Sequence, residues 1–422
     1  MVDASIWNQE IEVPEDVISS VDSQVLANLP AGSTVIGISP YGASYWTRTA
    51  RIQVTNAQDN EISYFLKVSR GETGKGMMEG EFHSMTVIYN AGPELVPKPI
   101  GFGTYEEQPD VHFFLCEFHT MTDGIPDISD FPAMLARLHK NGVSPNGKFG
   151  FFVTTYHGRL AQDTTPCDTW EENFSRGIDQ FFRAEEVSQG YDEEMAELRK
   201  GIMEKVIPRL LRPLETEGRK VTPRLVHGDL WDGNTSVDAE TSLPIIFDAC
   251  SSYAHHEYEL APWRPARHKI GKPYMIEYLK HFPVSEPAAD FDDRNALYCV
   301  RFNLCSSALY PGNLRFRNIV KEEMRTLVEK YPLGYEGYIQ QAHVARNPAR
   351  FGTPPTGLTR TRLMRSASSN SILRTCGPIV GIDFRVTTYA VHKAWHGGGS
   401  DENDVDGGGG GNHDGVCRKL GR

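Results

Sequence analysis

Apolar and polar positions keep a short rhythm through the first third of the chain and then change period. Residues 34–38, 47–55, 62–68 and 111–118 carry the alternating or continuously apolar runs of strands. Residues 78–88 break that rhythm: Glu81, Met85 and Ile88 fall at i, i+4 and i+7, one stripe of a helix. Pro40-Tyr41-Gly42-Ala43-Ser44 interrupts the first two runs, residues 95–101 are extended and turn-rich, and a short helix is predicted over 17–29. Past residue 119 helical spacing dominates. Residues 131–139 have one apolar face, and a stripe from Asp192 runs through Met195, Leu198, Ile202, Val206, Leu210 and Leu214. Pro208 should kink that stripe or mark a join, since it lacks an N–H and crowds the preceding turn. Residues 293–309 and 317–330 repeat the helical spacing, and between the helices sit two short apolar runs, Leu225-Val226 and 243–247. Strands first and helices later predict an α+β chain of two lobes, an antiparallel sheet lobe with one helix and a larger helical lobe.

The same pattern divides the chain into a polar lead-in (1–34), a first lobe (35–119), a second lobe (120–345) and a tail (346–422). Residues 359–371 are rich in Arg, Ser and Thr, and 397–411 hold runs of glycine. Such composition cannot bury enough apolar surface to offset the entropy of ordering, so the tail is predicted to be disordered, with 378–384 its only apolar run. A hydrophobic content of 39% over 422 residues agrees with some length being unpacked. The formal charge of −12 excludes the basic face that general nucleic-acid binding needs. The 7 cysteines are widely spaced, with no CxxC pair, which predicts reduced thiols in a cytoplasmic protein. The first residues lack the basic-then-apolar pattern of a signal peptide, and no run is long enough to span a membrane.

Chemistry concentrates in residues 223–260. Asp229, in His227-Gly228-Asp229, follows one apolar run; Asn234 lies five positions on; Asp248 follows the second run. Kinases use that order: the first Asp takes the acceptor proton, and the Asn and second Asp hold Mg²⁺ on the nucleotide phosphates. Mg²⁺ is a hard ion that prefers carboxylate and amide oxygens, as Asn234 and Asp248 offer. Lys67, near the end of a predicted strand, fits the lysine that meets ATP phosphates, and it needs a helix-borne carboxylate, Glu81 or Glu79. Residues just past the last strand of the first lobe, Glu117, Phe118 and His119, would offer main-chain groups to the adenine. Gly42 suits either a phosphate loop or an ordinary hairpin turn. Singly, these are a solvated lysine and polar turn residues; the ordered set carries the reading.

HGDLWDGN (227–234) and IIFDACSSYAHHEYELA (245–261) resemble the fructosamine/ketosamine kinases, including the protein-ribulosamine kinases, whose signature reads HGDLWxGN and then FDxxxxYxHxEYELA. Those kinases are relatives of aminoglycoside and choline kinases, and the match runs from about residue 41 to 338. The resemblance implies a protein-kinase-like fold using ATP and Mg²⁺ on the sugar hydroxyl of a ketoamine, ribulosamine or fructosamine, free or on a protein lysine. The phosphorylated adduct then falls apart, which is deglycation. It also implies that Gly42 belongs to a phosphate loop and that Glu81 is the partner of Lys67. His227 then braces the loop, and Trp231 either stacks on the sugar or packs the loop. His255, Glu257 and Glu259 orient the catalytic strand or the sugar, and 147–151 and 168–170 resemble the substrate-side segment. Two features depart from the family: Asp232 stands where a small residue is common, and the phosphate loop lacks the Cys of a redox switch. An aminoglycoside- or choline-type acceptor keeps the same chemistry but fits WxGN and EYELA poorly. A pseudokinase scaffold would have lost Lys67, Asp229 or Asp248.

Overall fold

The computed structural model describes residues 13–42 and 46–346. The tail prediction and the 378–384 run lie outside the described residues, as do Ala43 and Ser44 of the expected phosphate loop. The helix predicted over 17–29 is instead a 3₁₀ turn, Glu15–Ile18, and a separate helix α1, Ser23–Asn28. Asp22 explains the split: its Oδ1 accepts the Gln24 N–H at 2.8 Å and starts a new helix.

Strands β1 (Thr34–Pro40), β2 (Arg48–Thr55), β3 (Glu61–Arg70), β4 (Pro99–Thr104) and β5 (Val111–Glu117) form one antiparallel sheet in the order β1-β2-β3-β5-β4. Lys67 sits in its middle, opposite Thr49 on β2 and Phe114 on β5. Helix α2, Gly71–Ala91, crosses one face and lays Met78, Met85 and Ile88 on Phe65 and Phe114. It starts earlier than predicted, and its Gly74, Gly76 and Gly80 pack closely on neighbouring segments; a Cβ on Gly80 would stand 2.8 Å from the Thr154 carbonyl. Leu66, Val68, Phe113 and Leu115 fill the opposite face.

The second lobe is built on helices α3 (Phe131–Asn141), α4 (Trp170–Gln189), α5 (Glu193–Gly201), α6 (Ile207–Leu211), α7 (Lys272–His281), α8 (Phe291–Leu309), α9 (Leu314–Lys330) and α10 (Gly334–Arg346). Helix α4 was not predicted, although Trp170, Phe174, Ile178 and Phe181 make a core stripe and Thr169 caps it. Pro208 acts one turn upstream of itself: Ile202–Val206 is a π-helical turn, with the Ile207 N–H on the Ile202 carbonyl, which widens the helix ahead of the proline ring. Short strands β6 (Tyr156–His157) and β7 (Leu160–Ala161) pair with each other. The four others, β8 (Arg224–Val226), β9 (Thr235–Val237), β10 (Pro244–Ile246) and β11 (Ser252–Ala254), pair as β8 with β11 and β9 with β10. Cys116, Cys167, Cys250, Cys299 and Cys305 are buried free thiols. No helix of the described residues is long and apolar enough to cross a membrane.

Candidate active site

Strand alternation decides where Lys67 points. Leu66 and Val68 bury behind the sheet, so Phe65 and Lys67 face α2. Lys67 Nζ donates to Glu81 Oε2 at 2.7 Å and to Asp248 Oδ1 at 2.9 Å. The alternative carboxylate, Glu79, lies near Tyr156 instead. Burial alone would lower the Lys67 pKa, but Asp248 and Glu81 outweigh it and the net shift is upward, so the ammonium stays charged. Burial pushes the Glu81 carboxyl up to about 7 against the pull of Lys67, with Asp248 adding to the rise.

The loop after β8 carries Asp229. Glu259 fixes its root: its carboxylate accepts the His227 N–H and, at 3.0 Å, the Gly228 N–H. His227 Nε2–H donates to the Phe247 carbonyl at 2.8 Å, and the Cys250 N–H donates to the His227 carbonyl at 2.9 Å. Gly228 has φ +91°, and a Cβ there would collide with the Cys250 carbonyl, so the two loops touch backbone to backbone. Asn234 Nδ2 donates to the Asp229 carbonyl at 2.8 Å and to its Oδ2 at 3.1 Å. The Phe247 N–H in turn donates to the Asn234 carbonyl at 3.2 Å, immediately before Asp248 turns the chain with φ +60°. Asp229, Asn234, Asp248 and Lys67 therefore share one locus. Burial would raise the Asp229 pKa, but His157, His227 and Arg301 outweigh it and hold the carboxyl below its ordinary value.

Residues 47–329 match the family model for fructosamine kinase. The chain belongs to the fructosamine kinase family. A ketosamine-3-kinase of Mus musculus is 33% identical over 217 residues, 47% of this chain and 68% of that protein. A chloroplastic protein-ribulosamine 3-kinase of Oryza sativa subsp. indica is 28% identical over 269 residues, 63% of this chain and 73% of that one. A crystal structure described as a fructosamine-3-kinase from Thermobifida fusca YX-ER1 matches with TM-score 0.57 at 20% identity, over 74% of this chain and 100% of the other. At that identity it shows the fold, a two-lobed protein-kinase-like one. Membership of the fructosamine kinase family places the chain among ATP-dependent phosphotransferases.

Other nominated residues fall less simply on this fructosamine kinase scaffold. The Glu117 N–H donates to the Lys98 carbonyl at 2.9 Å and the Phe118 N–H to the Ser63 carbonyl at 3.3 Å. Sheet pairing thus uses those two N–H donors. His119 is the first residue past the strand whose N–H no described group takes, while its ring bonds Asp238 Oδ2 at 2.7 Å. Gly42, with φ +90°, ends the described part of the turn after β1. Trp231 lies over Gly233 and against the His268 ring, centroids 5.4 Å apart.

His255 and Glu257 are corrected as sugar contacts. Both are fully buried; His255 bonds Tyr298 Oη at 3.0 Å and Ser285 Oγ at 2.8 Å. Glu257 forms a closed pair with Arg294, 2.8 Å from Oε2 to Nε. The EYELA end of the motif thus braces the catalytic strand through Glu259 and the lobe through Glu257. Although His255, His256 and Glu257 cluster as metal ligands do, the pairing of His255 and Glu257 with protein groups leaves no shared donor set for an ion.

Sequence reasoning missed the groups on the other side of Asp229. His157 Nε2 lies 3.1 Å from Asp229 Oδ1, and Arg301 Nη1 lies 2.8 Å from His157 Nδ1. No motif marks either residue. The available signal was a charged residue in the middle of α8, whose neighbours Val300, Phe302 and Leu304 are core.

Proposed function

We propose that this chain transfers the γ-phosphoryl group of ATP to a sugar hydroxyl of a ketoamine, ribulosamine or fructosamine, on a small amine or a protein lysine. The names of its relatives point to the 3-hydroxyl. The observation that carries this reading is the division of labour between two carboxylates on touching loops: Asp248 is tied to Lys67, while Asp229 is tied directly to none of the lysines or arginines among the described residues. Lys67, braced by Glu81, binds phosphate oxygens. Asp229 accepts the proton as the acceptor oxygen bonds to the γ-phosphorus; the bond to the β,γ-bridging oxygen breaks, and its electron pair leaves with ADP. Asn234 and Asp248 fit a hard cation. The Asn234 NH₂ is committed to Asp229, which leaves its carbonyl oxygen uncommitted among the described residues, and the Asp248 side chain is 33% exposed. Bound there, Mg²⁺ would neutralise charge on the phosphates. The phosphorylated adduct then separates from its amine, so the biological role is deglycation.

The test is phosphate transfer from labelled ATP to ribulosamine and fructosamine derivatives of lysine, with aminoglycosides and choline alongside. Label is expected on the ketoamines. Asp229→Ala is expected to lower turnover by about 10²–10⁴-fold, the usual size of a general-base contribution, while ADP binding persists. Label on an aminoglycoside or choline instead, or undiminished transfer by Asp229→Ala, overturns the reading.

A further inference from the structure

We infer that His157 is a positioning residue for Asp229, locked by Arg301 into a buried polar chain that runs from the catalytic loop to the helix carrying Glu81. The inference rests on Asp229 being the base. His157 is almost fully enclosed, and Arg301 still more so, with its guanidinium 3.8 Å from the Phe181 ring centroid. A guanidinium only donates, so the 2.8 Å contact from Arg301 Nη1 requires a lone pair on His157 Nδ1. The ring proton therefore sits on Nε2 and points at Asp229 Oδ1, 3.1 Å away. Burial lowers the proton affinity of the ring and Asp229 raises it, with a net upward direction that favours the imidazolium, whereas the Arg301 donor on Nδ1 opposes a second proton there; in either form an Nε2–H faces Asp229.

The chain continues in the other direction with donors and acceptors matched at every step. Arg301 Nη2 donates to Gln162 Oε1. Gln162 Nε2 donates to Thr155 Oγ1 at 3.0 Å and to the Cys250 carbonyl at 2.9 Å. Thr155 donates to the Ser251 carbonyl at 3.2 Å, and the Ser251 N–H donates to Ser84 Oγ at 2.9 Å. Ser84 lies on α2 one turn from Glu81 and donates to the Gly80 carbonyl at 2.7 Å. Asp229 thus has one carboxylate oxygen on Asn234 and the other on His157, which leaves a single orientation for the lone pairs that meet a hydroxyl. Reaction geometry is sensitive to this: a displacement near 1 Å costs about a hundredfold in rate.

Two polar variants separate positioning from mere support. His157→Gln places an amide N–H near the former Nε2 and can still reach Asp229. His157→Asn keeps an acceptor for Arg301 but is too short to reach. With ketoamine acceptors, His157→Asn is expected to lower kcat by about ten- to a hundredfold while KM for ATP and ADP affinity stay within about twofold; His157→Gln is expected to recover most of kcat. Thermal melting of both, and ADP titration, read folding independently of turnover. Wild-type kcat in His157→Asn, or equal losses in Asn and Gln variants that melt and bind ADP like wild type, overturns the inference. Asp229→Ala in the same assay tells the failures apart: if it retains transfer, the base reading falls and takes His157 with it. If it abolishes transfer while His157→Asn is unimpaired, His157 alone is dismissed.

Discussion

The two sides of the cleft hold their carboxylates differently. On the nucleotide side, Asp248 and Glu81 flank Lys67, two carboxyl groups and an ammonium from three elements within 2.9 Å contacts. On the acceptor side, Asp229 meets an imidazole N–H and a carboxamide, and the Arg301 guanidinium bonds His157 rather than the carboxylate. Each arrangement matches its task. A nucleotide brings several negative charges, so that side needs a cation kept in place by counter-charges. A base must take a proton from a neutral hydroxyl, and a direct ion pair to Lys or Arg would weaken it further; an imidazole and a carboxamide fix its position without one.

The contrast is sharpened most by Lys67→Ala. The variant leaves Glu81 and Asp248 facing each other without their cation, and it removes a contact to the phosphates. Turnover is expected to fall on the order of 10²–10³-fold, as for loss of one preorganised group on the transferring charge. KM for ATP is expected to rise as well, checked by initial rates across ATP concentrations and by ADP titration. This separates the sides, because Asp229→Ala lowers kcat with nucleotide affinity kept. An unchanged KM for ATP in Lys67→Ala would break the division.

What could be read in advance follows the same divide. Lys67, Glu81, Asp229, Asn234 and Asp248 were all nominated because short-range pattern locates them: one strand, one helical stripe and two loops after apolar runs. The structure brings these five together. The acceptor side was hidden, because its supports come from far along the chain; Arg301 reaches His157 across 144 positions. Depth was hidden too. HxEYELA could be matched letter by letter, but only the packing of the 3₁₀ segment His256–Trp263 shows that Glu257 turns into the lobe and Glu259 toward the loop. Helix α4 escaped because residues 168–170 are legible only as part of a substrate-side segment, whereas Thr169 is the cap of a helix.

A second expected effect falls on stability alone. Glu257→Gln leaves Arg294 charged and enclosed, and removing one partner of a buried pair costs about 3 kcal/mol at the low end. Urea unfolding followed by intrinsic fluorescence measures it. KM for the ketoamine is expected to stay within about twofold, since Glu257 has no face on the cleft. A tenfold rise in that KM, with normal stability, would return Glu257 to the sugar site and blur the line between lobe scaffold and acceptor side.

The smallest effect belongs to Asp232→Ser, which puts a small residue at the position where the HGDLWxGN resemblance leads one to expect it. Asp232 is buried and its Oδ1 lies 3.0 Å from His268 Nδ1, with the Trp231 ring packed on the same imidazole. The serine oxygen is too close to its own backbone to replace that bond, so about 1 kcal/mol of stability should be lost, seen as a drop of a few degrees in melting temperature. The backbone that positions the neighbours of Asp229 does not depend on this side chain: the Asn234 N–H still bonds the Trp231 carbonyl at 3.0 Å, and Asn234 still holds Asp229. Hence kcat and KM for ATP are expected to stay at wild-type values. KM for the ketoamine then decides what Trp231 does. If the ring stacks on the sugar, loosening His268 shifts that KM by about threefold; if it only packs the loop over Gly233, the value holds. A fall in kcat of tenfold or more would mean that Asp232 is wired to the base. The hold on Asp229 would then not come from His157 and Asn234 alone, and the acceptor side would rest on a charged pair after all.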